Sequence, residues 1–123
     1  MPDVAPTPSI LLVEDDPIVR MLMVDVLEDA GYRVEEADSW DSAIEVLANV
    51  AKPLAMLVTD VGLRDASDRD GLGLAREARQ LREGLPVLVA SGFAGLDIPP
   101  GTELITKPFS IDSLRDKVQS MLA

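Results

Sequence analysis

Short apolar runs alternate with longer amphipathic stretches along most of this chain, and that rhythm constrains the fold more than any other feature. Ile10 to Val13 reads as a buried strand. Asp16-Pro17 then supplies a helix cap and a first-turn proline. Val19, Leu22, Met23, Val26 and Leu27 fall at i, i+3, i+4, i+7 and i+8, one stripe of a helix that Gly31 ends. Arg33 to Ala37 reads as a short exposed strand, and Ser39 caps a second helix with the stripe Trp40, Ala43, Ile44, Leu47 and Ala48. Leu54 to Thr59 is almost wholly apolar, which suits a strand covered on both faces. A loop rich in Asp and Arg leads to a helix from about Leu72 to Leu81. Pro86 to Ala90 and Glu103 to Thr106 read as two more strands. Ser110 opens a last helix with Ile111, Leu114, Val118 and Met121 on one side. This order argues an α/β domain with a parallel sheet and helices on both faces. Between Ala90 and Glu103 stand Gly92, Gly95, Gly101, Pro99 and Pro100, so that crossover is expected to be a loop.

In a parallel sheet every strand ends on the same rim, and ligands bind outside those carboxyl ends. After the first strand come Glu14, Asp15 and Asp16, after the third Asp60, after the fourth Ser91, and after the fifth Lys107. In a sheet of order 2-1-3-4-5, strands one and three are neighbours, which brings Glu14 and Asp15 close to Asp60. Asp16 is used up as the helix cap. Three carboxylates at one point repel unless a cation joins them. The chain has no His and no Cys, so the donors are oxygens, and these select a hard ion, Mg²⁺ or Mn²⁺. A lysine and a hydroxyl across the rim suit the oxygens of a phosphoryl group. The constellation describes phosphoryl transfer with a carboxylate as nucleophile. Repulsion in this cluster predicts that Mg²⁺ stabilises the fold and that neutralising Asp60 does so without metal.

The missing residue types also exclude chemistry. Without Cys there are no disulfides or thiol nucleophiles, and without His there is no Ser-His-Asp triad. A net charge of −11, from 22 acidic and 11 basic residues, argues against DNA as a partner. The opening nine residues lack the basic start and apolar stretch of a signal peptide, and the run Leu54 to Val58 is far too short to cross a membrane. A flexible lead-in over 1–9, one domain over 10–123, a cytoplasmic location and no membrane partner are therefore expected.

Val13-Glu14-Asp15-Asp16-Pro17, Thr59-Asp60, Val89-Ala90-Ser91-Gly92 and Lys107-Pro108-Phe109 together resemble the receiver domains of two-component response regulators. The resemblance spans nearly the whole chain, with the motifs in order. It implies a three-layer, doubly wound, flavodoxin-like sheet of five parallel strands, order 2-1-3-4-5, with the fourth helix reduced to a loop. It implies that Asp60 takes a phosphoryl group from a phosphohistidine of a sensor or hybrid histidine kinase. Mg²⁺ would be held by Asp15, Asp60 and the main-chain carbonyl of Gly62, with Glu14 acting directly or through water. Ser91 would bind a phosphoryl oxygen, Lys107 would pair with the phosphate, and the peptide before Pro108 would be cis. The protein would be a switch, not an enzyme, with only self-phosphorylation and slow self-dephosphorylation.

Several positions depart from the usual family pattern. Arg64 stands near the place of a proline, Gly71 arrives late, and Asp65 to Asp70 reads as a small insertion in a solvated loop. Leu104 occupies the place of the switch aromatic. Ala90-Ser91-Gly92-Phe93 resembles the signature of the FATGUY subclass of single-domain receivers, and the loop from Gly92 to Gly101 is the expected switch segment. The chain is either a stand-alone regulator acting on a downstream protein or a receiver from a longer kinase. Met1 and the proline-rich lead-in favour the former. Two other readings compete: a small Mg²⁺-dependent phosphohydrolase with Asp60 as nucleophile, and an unphosphorylated interaction module on a receiver fold.

Overall fold

The computed structural model describes residues 8–62, 70–92, 98 and 101–122. Successive side chains of a strand point to opposite faces, and a strand apolar at every position must be covered twice. β1 (Ser9–Val13) does this: Leu11 and Val13 enter one buried cluster, Ile10 and Leu12 the other. It pairs in parallel with β2 (Arg33–Ala37) on one side and β3 (Leu54–Asp60) on the other. β3 pairs with β4 (Val87–Ser91), and β4 with β5 (Thr102–Thr106), giving the order β2-β1-β3-β4-β5 with all strands parallel.

Helices cover both faces, as the two-sided strands require. Met23, Val26 and Leu27 of α1 (Pro17–Asp29) and Leu114 and Val118 of α4 (Ile111–Leu122) pack on one face. Ala43 and Leu47 of α2 (Trp40–Ala48), with Leu74, Ala75 and Ala78 of α3 (Gly71–Leu81), pack on the other. The expected caps are in place. Asp16 caps α1 ahead of Pro17, Ser39 and Ser42 form a capping box on α2, and Ser110 accepts from the Ser113 amide. Gly31 follows α1 with φ +96°, a conformation open to glycine.

Two helix stripes are less buried than their spacing implies. Leu22 is 55% exposed and Ile111 65%. Both line an open groove of about 560 Å³ between α1 and α4, with Val19, Met23, Phe109 and Leu114. The apolar periodicity is helical, but this part of the stripe faces the groove instead of the sheet. Ala48 is exposed as well, at the last residue of α2. Of the two methionines in α1, Met23 is buried and Met21 exposed.

Among the described residues no helix lies between β4 and β5. Most of the expected switch loop, residues 93–97 and 99–100, falls outside the described residues, as does Phe93 of the subclass signature. Ser9 is the first residue of β1, and residues 1–7 are likewise not described.

Arg82, just after α3, holds the end of α2. Its guanidinium donates to the carbonyls of Val46, Leu47, Asn49 and Lys52 at 2.6–3.3 Å. Four carbonyls in and just after the last turn of α2 thereby share one cation, which also suits the helix dipole, and those of Val46 and Asn49 accept the Asn49 and Lys52 amides as well. Replacing Arg82 with Met keeps the apolar stem and removes every donor. We expect Arg82→Met to lower unfolding free energy by about 2 kcal/mol in urea titrations, the usual scale for losing charged hydrogen bonds. An unchanged midpoint would mean that water serves those carbonyls equally well.

Candidate functional site

The backbone ladder places the site before any side chain is considered. Glu14 follows β1, and its amide still donates to the Ala37 carbonyl at 3.1 Å, which keeps the residue at 3% exposure. Asp60 ends β3 opposite Ala90, and the next amide, Val61, donates to Ala90 at 2.9 Å. Ser91 ends β4 opposite Thr106 and is buried, and the Lys107 amide donates to its carbonyl at 2.6 Å. These strand ends are thus locked in register, and Glu14, Asp60, Ser91 and Lys107 share one rim.

One carboxylate oxygen from each of Glu14, Asp15 and Asp60 lies within 4.8 Å of the others. Lys107 Nζ donates to Asp60 Oδ1 at 2.7 Å. Gly62 stands two residues past Asp60, exposed, and a Cβ added there would sit 3.6 Å from Asp60 Oδ2, so its backbone runs beside the carboxylate. The peptide between Lys107 and Pro108 is cis, as the resemblance implied. The structure therefore gathers Glu14, Asp15, Asp60, Gly62 and Lys107, with Ser91 beside Lys107 in the ladder. Asp16 stays out of the cluster as a cap, donating its own amide to Glu14 Oε1 at 3.2 Å.

The charge balance falls unevenly. Glu14 is pushed up to about 7, first by burial, with the negative charge of Asp60 and a hydrogen bond with Asp15 adding to it. The Asp16 amide and the charge of Lys107 oppose that rise. Glu14 is the more deeply buried acid, while the Lys107 ammonium is paired with Asp60. A compact, buried, all-oxygen donor set with more negative than positive charge fits a hard divalent cation.

A glycine sets the back of the site. The Gly71 amide donates to the Val61 carbonyl at 3.0 Å. A Cβ on Gly71 would overlap the Asp60 carbonyl oxygen and lie 2.7 Å from the Asp60 carbonyl carbon and 2.8 Å from Val61 Cα. α3 therefore starts against the main chain of Asp60. Asp70, expected in a solvated loop, caps that helix by accepting from the Gly73 amide at 2.9 Å. The rest of the apparent insertion, residues 63–69, lies outside the described residues. The Asp70-Gly71 pair at the helix start was the available signal: a capping acid followed by a residue with no side chain. Trp40, read as a packing residue, is half-buried against the core, and an added Gly73 Cβ would lie 3.2 Å from its ring. Leu104, at the switch-aromatic position, is also partly buried against that core.

The family model of the response regulator receiver domain matches residues 10–119. Response regulator receiver protein CpdR of Brucella abortus (strain 2308) is 34% identical over 119 residues, covering 92% of this chain and 95% of that protein. Sensor kinase CckA of the same organism is 32% identical, covering 98% of this chain but only 13% of the kinase. The crystal structure of the receiver domain from the hybrid histidine kinase CckA superposes with a TM-score of 0.80 at 30% identity, covering 94% of this chain and 99% of that one.

Two outcomes test this geometry. Gly71→Ala should cost about 3 kcal/mol in unfolding free energy, the upper range for overpacking, because main chain has no room to yield. A cost below about 1 kcal/mol would mean that α3 does not bear on Asp60. Glu14 holds its proton to higher pH when folded than when unfolded, so metal-free stability falls as pH rises from 4.5 through about 7. Glu14→Gln should therefore be more stable than wild type above pH 7, and the difference should vanish below pH 4.5, read from melting curves in chelator. A pH-independent difference would contradict the assignment.

Proposed function

The chain belongs to the response regulator receiver domain family, and we propose that it is a phosphoacceptor of a two-component system, with Asp60 as the acceptor. The observation that carries this reading is one carboxylate set between a cation and two further acids. Asp60 lies within ion-pair distance of Lys107 on one side and in ligand distance of Glu14 and Asp15 on the other. An Asp60 oxygen attacks the phosphorus of a phosphohistidine on a partner kinase. The new P–O bond forms as the P–N bond breaks, and the imidazole leaves with the bonding pair and takes up a proton. Asp15, Asp60 and the Gly62 carbonyl would hold Mg²⁺, with Glu14 acting directly or through water, and the ion would supply positive charge for the phosphoryl oxygens. Lys107 pairs with the new phosphate, and the Ser91 hydroxyl donates to one of its oxygens. Slow hydrolysis of the acyl phosphate resets the switch, and the ends of β4 and β5 carry the change to a surface read by a downstream protein.

A donor to Asp60 must cover this rim, and the apolar surface for it is adjacent. Among the described residues, Ile18, Met21, Leu22 and Ile111 are four of the five exposed large hydrophobics. They belong to α1 and α4, whose groove Lys107 also lines. Exposed Asp25 and Asp29 line the adjoining hollow with Leu22, Ile111 and Arg115. The kinase therefore presents a helix with an apolar face and basic flanks. Such a partner places the receiver in the cytoplasm.

Incubation with a small acyl or amido phosphate donor and Mg²⁺ tests the acceptor. Intact mass should rise by one phosphoryl group in wild type and not in Asp60→Asn. Lys107→Ala should slow phosphorylation by at least tenfold, since it removes a cation bonded directly to the acceptor. Equal uptake by wild type and Asp60→Asn would overturn the assignment. No uptake by either would leave the fold as an unphosphorylated interaction module.

A further inference from the structure

The acidic cluster needs its backbone held against its own repulsion, and one cation does this without touching the three carboxylates in any bond described above. Arg20 Nη1 donates to the main-chain carbonyl of Glu14 at 2.8 Å, and its Nε donates to Glu36 Oε1 at 3.2 Å. The arginine side chain is only 20% exposed. We infer that Arg20 is a positioning residue for the metal site, fixing the plane of the peptide that joins Glu14 to Asp15. The inference rests on the proposed function.

The geometry makes the turn a closed unit. The Glu14 amide is taken by Ala37 in the sheet, so strand pairing fixes that side of the residue. The Glu14 carbonyl is taken by Arg20, which fixes the other side. Asp16 is fixed as the cap of α1, and its carbonyl accepts from the Arg20 amide at 2.9 Å, so the arginine is rooted in the turn it holds. Asp15 lies between these two anchors. Its side chain starts from a peptide plane that Arg20 sets and a helix cap that cannot rotate. Glu36, on the edge strand β2, aims the guanidinium. That pair is half-exposed on the Glu36 side, so its direct worth to stability is small. A planar fork serves a carboxylate and a carbonyl together, which a lysine does not reproduce.

Residues that orient ligands without binding the metal commonly change affinity by about 10- to 100-fold when removed. Arg20→Gln should therefore weaken Mg²⁺ binding about tenfold at a temperature where the variant is folded, measured by calorimetric titration of the full chain. Arg20→Lys keeps the charge and one donor and should recover part of that affinity. Glu36→Gln leaves the Glu14 contact and should lose less than Arg20→Gln. Without metal, the Glu14 carbonyl-carbon resonance should move upfield in Arg20→Gln, as a carbonyl does on losing a hydrogen bond. A purely structural arginine would lower the melting temperature but leave Mg²⁺ affinity unchanged. Arg20→Gln binding Mg²⁺ within about twofold of wild type would overturn the inference alone, well short of the loss expected for an orienting residue. A wild type that binds no Mg²⁺ would overturn the metal site and this inference together.

Discussion

Like charges brought together where water is scarce are the constraint on which the rest of this structure depends. Glu14 and Asp60 are each below a tenth exposed, Asp15 stands between strand and helix, and all three offer oxygens to one point. Burial and neighbouring charge make that arrangement costly, and the cost shows in Glu14, held protonated up to about pH 7. Lys107 offsets part of it through Asp60. The remainder is an unfilled demand for positive charge, which is the property that a phosphoryl-transfer site with a divalent cation needs.

The fold tolerates this because the carboxylates are anchored through their backbones. Parallel pairing of β1, β3, β4 and β5 brings the last residues of β3 and β4 and the residues just after β1 and β5 to one rim in register. α3 presses Gly71 against the main chain of Asp60, and Arg20 on α1 fastens the carbonyl of Glu14. None of these contacts is made to a carboxylate oxygen of the cluster, so the origins of the side chains are fixed through the main chain. On the far side of the sheet, Arg82 makes the same economy for α2, using one cation for four carbonyls.

Much of this was legible in the sequence for physical reasons. Strands buried on both faces must be apolar throughout, and helix caps need short oxygen-bearing side chains, so β1, β3, β4, Asp16 and Ser39 could be read directly. The rim residues followed from strand ends in a parallel sheet. The exposure of Leu22 and Ile111 was not legible, because periodicity reports which side of a helix is apolar and not whether the neighbouring helix closes over it. Gly71 was visible only as a glycine out of place, since its meaning lies in the closeness of Asp60, a contact across a loop. Arg20 gave no signal at all: its partner is a main-chain carbonyl, which every residue carries.

The account's central claim is that Asp60 accepts a phosphoryl group in a metal-dependent site, and its most direct test is beryllofluoride, a mimic of that group, with amide chemical shifts as the readout. With Mg²⁺ and beryllofluoride, wild type should shift strongly at Asp60, Ser91 and Lys107, while Asp60→Asn stays as it was. Matching shifts in the two proteins, or no shift in wild type beyond the effect of Mg²⁺ alone, would contradict it.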